Sequence, residues 1–206
     1  SCSGSFIILN AAVNPEVKNA KNSKSGIFLK RTEPNAIKLI NSKIYSLRGP
    51  ESVARANGIE FMGQWQMKFD MSIADFYGCT IQTAQENSSL ALSQLYYWSN
   101  RVILNGDSES CMLLCLPLIS RDGTIYGICG FEVSSMFFKF QYSPDNSRYP
   151  HIFSTLSPIS KNILDIDSGL IAGKSFSTDP VIGKITAVWN NDSNLFTYHD
   201  INNNDY

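Results

Sequence analysis

Three features of the chain predict an α+β fold: a central antiparallel β-sheet with flanking helices and a β-rich C-terminal extension. The run Met112–Ser135 holds two apolar strands around Asp122-Gly123, and the stretch from Ile59 to Met71 alternates strictly between two faces. Between and after these, Thr32–Leu47 and the residues following Ser72 carry apolar side chains at helix spacing.

In chain order, Phe6–Val13 opens as a continuous apolar run, Phe-Ile-Ile-Leu, which suits a strand buried on both faces, and Asn14-Pro15 closes it. The polar stretch Glu16–Ser25 follows, and Ile27-Phe28-Leu29 completes a hairpin with a long, solvated connection. Thr32 or Glu33 then caps a helix with Pro34 in its first turn and Ile37, Ile40, Ile44 and Leu47 along one side. Gly49-Pro50 stops that helix, and Arg48 before it reads as a surface loop residue, with capture of an anion as the alternative. A short helix over Glu51–Ala56 exits through Asn57-Gly58. In the alternating strand Ile59–Met71, Trp65 points inward, and Gly63 leaves room for a backbone or a ligand. Residues from Ser72 to Leu104 read as helical, with Ser88 or Ser89 capping Leu90–Trp98. Three consecutive aromatics cannot share one helix face. At least one of Tyr96, Tyr97 and Trp98 therefore projects toward a pocket wall or a partner.

The Asp122-Gly123 pair supplies the positive φ that a tight turn needs. If the loop is Arg121-Asp122-Gly123, Ser120 faces Thr124, Leu116 faces Ile128 and Cys115 faces Cys129; a two-residue loop puts Gly130 opposite Cys115 instead. Pro117 cannot donate to the ladder and belongs at a non-hydrogen-bonding edge position. The expected sheet pairs Leu114–Ile119 with Thr124–Val133 and sets the Ile59–Met71 strand beside them. Ser134 caps a short helix through Phe140, Tyr142–Pro150 is a loop, and Ile152–Tyr206 is β-rich. The expected division is residues 1–149 as the principal domain and 150–206 as a β-rich extension or small membrane-proximal subdomain.

Composition narrows the function classes. The 206 residues, 43% of them hydrophobic, suffice for a real core. Seventeen basic against 18 acidic residues leave no electrostatic footprint for nucleic acid. No apolar run reaches the roughly 20 residues of a membrane-spanning helix. The start Ser-Cys-Ser-Gly-Ser-Phe reads as the interior of a longer protein, with any targeting signal or anchor outside these residues. Five cysteines form no small-scaffold framework, and Cys111 and Cys115, about 13 Å apart on one strand, lie too far apart to bridge. No metal site or cofactor is expected: there is no Cys-x-x-Cys, and His151 and His199 lie far from the cysteines. The nucleophile elbow, phosphate loop, dinucleotide fingerprint and zinc-protease motif are all missing, so no catalytic residue is assigned.

The pattern Pro-Leu-Ile, two residues, Asp-Gly, two residues, Tyr-Gly-Ile-Cys-Gly-Phe-Glu-Val-Ser resembles the closing strands of Cache domains, the PAS-like sensing modules of bacterial transmembrane receptors. The resemblance implies a noncatalytic, extracellular or periplasmic sensor that passes a binding event to a membrane helix and a cytoplasmic output domain. A homodimer is compatible with it. Cytoplasmic GAF domains carry a similar hairpin and stand as an alternative, with a small hydrolase or transferase as a third. Cache domains that bind amino acids often use an Arg with a neighbouring Trp-Tyr pair for the ligand carboxylate and an acidic residue near the last strand for the ammonium. Here Tyr97 and Trp98 with Arg101 supply those residue types in a different order, and Glu132 stands where the family commonly has Asp. The expected site is therefore Trp65, Tyr97, Trp98, Arg101 and Glu132, around a small polar or anionic molecule such as an amino acid or organic acid. A carboxylate flanked by Phe131 and Val133 in a strand must face solvent or have a specific partner.

Overall fold

The structure is a computed structural model that describes residues 2–31, 43–72, 75–104, 107–145, 148, 152–160, 163–173, 186–190 and 195–199, with backbone only at 160, 186–190 and 195–199. The chain divides into two compact units, Ser1–Ser134 and Ser135–Tyr206.

A large mixed sheet organises the first unit. Strand β1 (Gly4–Ala12) lies at its centre, antiparallel both to β2 (Ser23–Arg31) and to β9 (Ile125–Ser134). On the β2 side follow β3 (Ile44–Arg48) and then β4 (Glu60–Gln66), while the two-residue β5 (Phe69–Asp70) pairs with the start of β2. On the other side lies β8 (Ser110–Ile119), whose outer edge carries β6 (Tyr97–Trp98) and β7 (Val102–Ile103). Helix α1 (Glu51–Ala56) links β3 to β4, which run parallel, as a crossover connection allows. Gly49, with φ +124°, turns the chain into α1, and Gly58, with φ +64°, ends it in the left-handed conformation the sequence predicts. Helix α2 (Asp75–Glu86) buries Phe76, Tyr77, Thr80 and Ala84.

The core lies on one face of this sheet. Phe6 and Ile8 of β1 are buried, as are Phe28 of β2, Leu47 of β3, Ile128 of β9 and Cys111, Leu113 and Cys115 of β8. Phe6 packs edge-on against Phe28 at 5.8 Å and Phe76 at 6.2 Å. Each such ring contributes roughly 1.5–3 kcal/mol by its burial. Gly130 sits beside Phe6 in the ladder, and a Cβ there would lie 2.7 Å from the Phe6 ring.

Several expectations are corrected. The sheet is mixed rather than antiparallel, because β4 joins β3 in parallel. The Ile59–Met71 strand breaks after Gln66, and its main piece lies at the edge opposite the hairpin, not beside it. Period-two alternation shows that a strand exists; it does not name the neighbour. Of the helix expected over Thr32–Leu47, residues 32–42 lie outside the described residues and Ile44–Arg48 is strand β3. Ile-Tyr-Ser-Leu is a good pleated-sheet sequence, and pairing with β2 outweighs a chance helical spacing. Among the described residues of the Ser72–Leu104 stretch, α-helix occupies Asp75–Glu86 alone; Leu92–Gln94 makes one 3₁₀ turn, and Tyr97-Trp98 pairs with β8 instead of continuing a helix. Phe6–Leu9 is buried on one face only, since Ile7 and Leu9 are exposed on the other.

The hairpin also departs from expectation in an instructive way. The loop is the three-residue one: Ser120 N–H donates to Thr124 O, Gly123 has φ +84°, and Asp122 Oδ1 accepts Thr124 N–H at 3.0 Å. One step on, Ile119 pairs with Ile125 but Leu118 with Gly127, so Tyr126 is bulged out. The bulge shifts the register by one residue, placing Cys115 opposite Gly130 and Leu116 opposite Cys129. The two cysteines then point to opposite faces, and all the described cysteines are free.

In the second unit, α3 (Ser135–Tyr142) follows Ser134 as expected, with Phe137 and Phe138 buried, and packs against β13 (Leu170–Ala172). Strand β13 pairs with β10 (Ser154–Leu156). A separate sheet runs β11 (Ile159–Ser160), β12 (Ile163–Leu164), β14 (Thr186–Asn190), β15 (Leu195–His199).

Candidate ligand-binding site

Inward parity of the central strands assembles the chemistry of the first unit. Along β1 the inward positions are Gly4, Phe6 and Ile8; along β2 they include Phe28 and Lys30; along β9 they include Ile128, Gly130 and Glu132. Gly4 pairs with Lys30 on one side and Glu132 on the other, so the two charged side chains flank the one position in β1 that has no side chain. Lys30 Nζ lies 3.0 Å from Glu132 Oε1 across it, and a Cβ at Gly4 would come within 2.9 Å of Glu132 Oε2. Glu132 is fully buried. Ser3 Oγ donates to its Oε2 at 2.9 Å while accepting Ser134 N–H at 2.8 Å. Oε1 has the lysine's charge beside it but no well-directed hydrogen bond, because Nζ is aimed at a second carboxylate, Asp107 Oδ2, 2.5 Å away.

Two carboxylates thus share one ammonium. Burial pulls the Lys30 ammonium toward deprotonation, but Glu132, with Asp107, outweighs it and holds Lys30 charged above its usual range. Burial pushes the Glu132 carboxyl up, and neither Lys30 nor Ser3 fully offsets it. Arg48, also buried, is drawn down by burial against the opposing charge of Asp107; its Nη1 donates to Leu47 O at 2.8 Å and Gln64 O at 3.1 Å. The same environment pushes the Cys111 thiol up, first by burial and then by Glu132.

Beside this group a cavity of about 60 Å³ lies on the inward face. Its walls are Phe6, Ile8, Phe28, Leu47, Phe69, Phe76 and Leu113, and its polar groups are Arg48, Gln66 and Asp70. Val102, Ile103 and Leu104 line its remaining side. Those three residues follow β6 and are anchored by the two-residue β7, by Asp107 N–H donating to Leu104 O at 2.8 Å, and by the Asp107–Lys30 ion pair.

The structure separates the residues expected to line one pocket. Trp65 sits on β4, at the opposite edge of the sheet from β6, with its ring against Phe61 at 5.2 Å and its Nε1 buried without a partner. Arg55 of α1 lies over the Phe61 ring. Tyr97 and Trp98 are consecutive strand residues and so point to opposite faces; Tyr97 packs against the core, and burial with the neighbouring Cys79 raises its hydroxyl to about 12. Arg101 is exposed between β6 and β7. Of the five expected residues only Glu132 adjoins the cavity's charged group, and its cationic partner is the chain's own Lys30. Arg48, expected on the surface, lines the cavity instead. The legible signal for Lys30 was its parity with Phe28; Asp107 carried none.

No protein-family model, curated protein or solved structure matches the chain. Among the described residues no cluster of His, Cys, Asp and Glu is placed to hold a metal ion, and no helix is long and apolar enough to cross a membrane.

Proposed function

We propose that the first unit is a small-molecule sensor module of the PAS-like, Cache type, acting by binding rather than catalysis. The supporting observation is the aromatic-walled cavity between the central sheet and α2, with buried Arg48 at its polar end. Apolar walls with few convergent polar groups are the usual make-up of a small-molecule site. The first and last strands of the unit, β1 and β9, pair at the sheet's centre, and α2 and the Val102–Leu104 segment from the chain between them enclose space over one face. Together with the closing-hairpin resemblance, this supports an extracytoplasmic domain of a bacterial membrane receptor. Membrane helices flanking this segment in the full-length gene would agree with that placement; their absence would favour a cytoplasmic regulatory domain.

The ligand class whose chemistry matches this lining is a small molecule with an apolar body and an anionic or polar head. A thermal-shift screen of organic acids, amino acids and sugars tests it, because a ligand at a hundred times its dissociation constant stabilises the native state by roughly 2.7 kcal/mol. Leu113→Trp, which fills the cavity, removes the shift for every hit if the reading is correct. A hit that stabilises this variant as much as the parent places the site elsewhere.

A further inference from the structure

The cavity is too small for the molecules the proposed function needs. About 60 Å³ admits a group of a few atoms, whereas pockets for drug-sized ligands run to roughly 300–1,000 Å³. A wall must move. The sheet strands and α2 are packed into the core, whereas Val102 and Leu104 are only partly buried against it and their segment is tied by a two-residue strand and by Asp107. Asp107 is the odd member of the charged group: Glu132 is carried on a central strand and fastened by Ser3, and it already supplies Lys30 with a counter-charge. Asp107 brings a second carboxylate to Lys30 from the wall segment, and its charge also opposes the cost of burying Arg48.

We propose that Asp107 is a latch: its carboxylate occupies an anion site presented by Lys30, and a small apolar carboxylate that takes its place frees the Val102–Leu104 wall. The exchange conserves charge, since one carboxylate replaces another on the same ammonium. It also couples ligand chemistry to movement, because the displaced side chain is the one that ties the wall down. The apolar body of the ligand then lies against Phe6, Phe28 and Phe76, in space that the wall's displacement enlarges. This inference rests on the proposed function for its ligand, though the latch itself does not.

The test is Asp107→Asn, with benzoate and its neutral counterpart benzyl alcohol as probes and amide hydrogen exchange as an independent readout. Asparagine keeps the Oδ1 that accepts the Ser108 N–H at 2.9 Å, so the local turn survives and only the anion is lost. The expected result is faster exchange at Val102–Leu104 by tenfold or more, and benzoate binding tightened about tenfold with benzyl alcohol changed far less. Asp107→Glu, which restores the charge, returns both toward the parent. Equal tightening of the two probes, or none with unchanged exchange, overturns the anion-site assignment. If neither probe binds any variant, exchange decides: faster exchange at the wall retains the latch and retires the ligand reading, and unchanged exchange overturns the latch.

Discussion

Lys30 illustrates how one residue couples strand parity to stability. Its side chain is buried because β2 turns position 30 to the same face as Phe28, and the ammonium persists there because Glu132 and Asp107 converge on it. Lys30→Met leaves the fully buried Glu132 without a counter-ion and should cost about 3–5 kcal/mol in urea unfolding. The double variant Lys30→Met/Glu132→Leu should recover part of that loss, since an apolar replacement of a buried pair is often neutral while Asp107 still loses its ammonium. The pH dependence follows from the direction of the Lys30 shift. Its folded pKa lies above the unfolded 10.5, so above that pH the native state holds a proton the unfolded chain releases. The contribution is complete below 10.5 and is lost as pH rises through the folded value. Urea midpoints from pH 9 upward should therefore fall more steeply for the parent than for the double variant.

At the scale of elements, the closing hairpin shows where a sequence is legible and where it stops being so. Asp122-Gly123 correctly announced the turn, because a positive φ has few residue solutions, but left its length open between two and three residues. The bulge at Tyr126 carries no residue code of its own, and it alone moved Cys115 away from Cys129. Thiol labelling tests the resulting register. Cys115, buried and pushed up to about 12 mainly by that burial, and Cys111 beside Glu132 should react only on unfolding. The partly exposed Cys2, Cys79 and Cys129 should label in the native protein. Equal labelling of Cys115 and Cys129 would contradict the opposite-face arrangement. Strands β3 and β6 were read as helices for a related reason: short segments of aromatic and branched residues satisfy either period, and only the long-range partners β2 and β8 decide. The site suffered most from this ambiguity. Placing Tyr97, Trp98 and Arg101 on one helix grouped residues that a strand and a turn disperse, while Arg48, beside a glycine-proline stop, reads as a surface residue with anion capture only as the alternative.

For the first unit as a whole, sheet order decides the function argument. Five strands lie between β4 and β6, so no pocket can join Trp65 to Tyr97, Trp98 and Arg101; the aromatic-walled cavity lies between, over β1, β2 and β8 and under the Val102–Leu104 wall. Chemical-shift mapping of the protein with the best ligand from the stabilisation screen tests this claim most directly. The account predicts that the largest amide and methyl perturbations fall on Ile8, Leu47, Arg48, Val102, Leu104 and Leu113. Perturbations confined to Trp98 and Arg101, or to the outer face around Ile7 and Phe131, would contradict it.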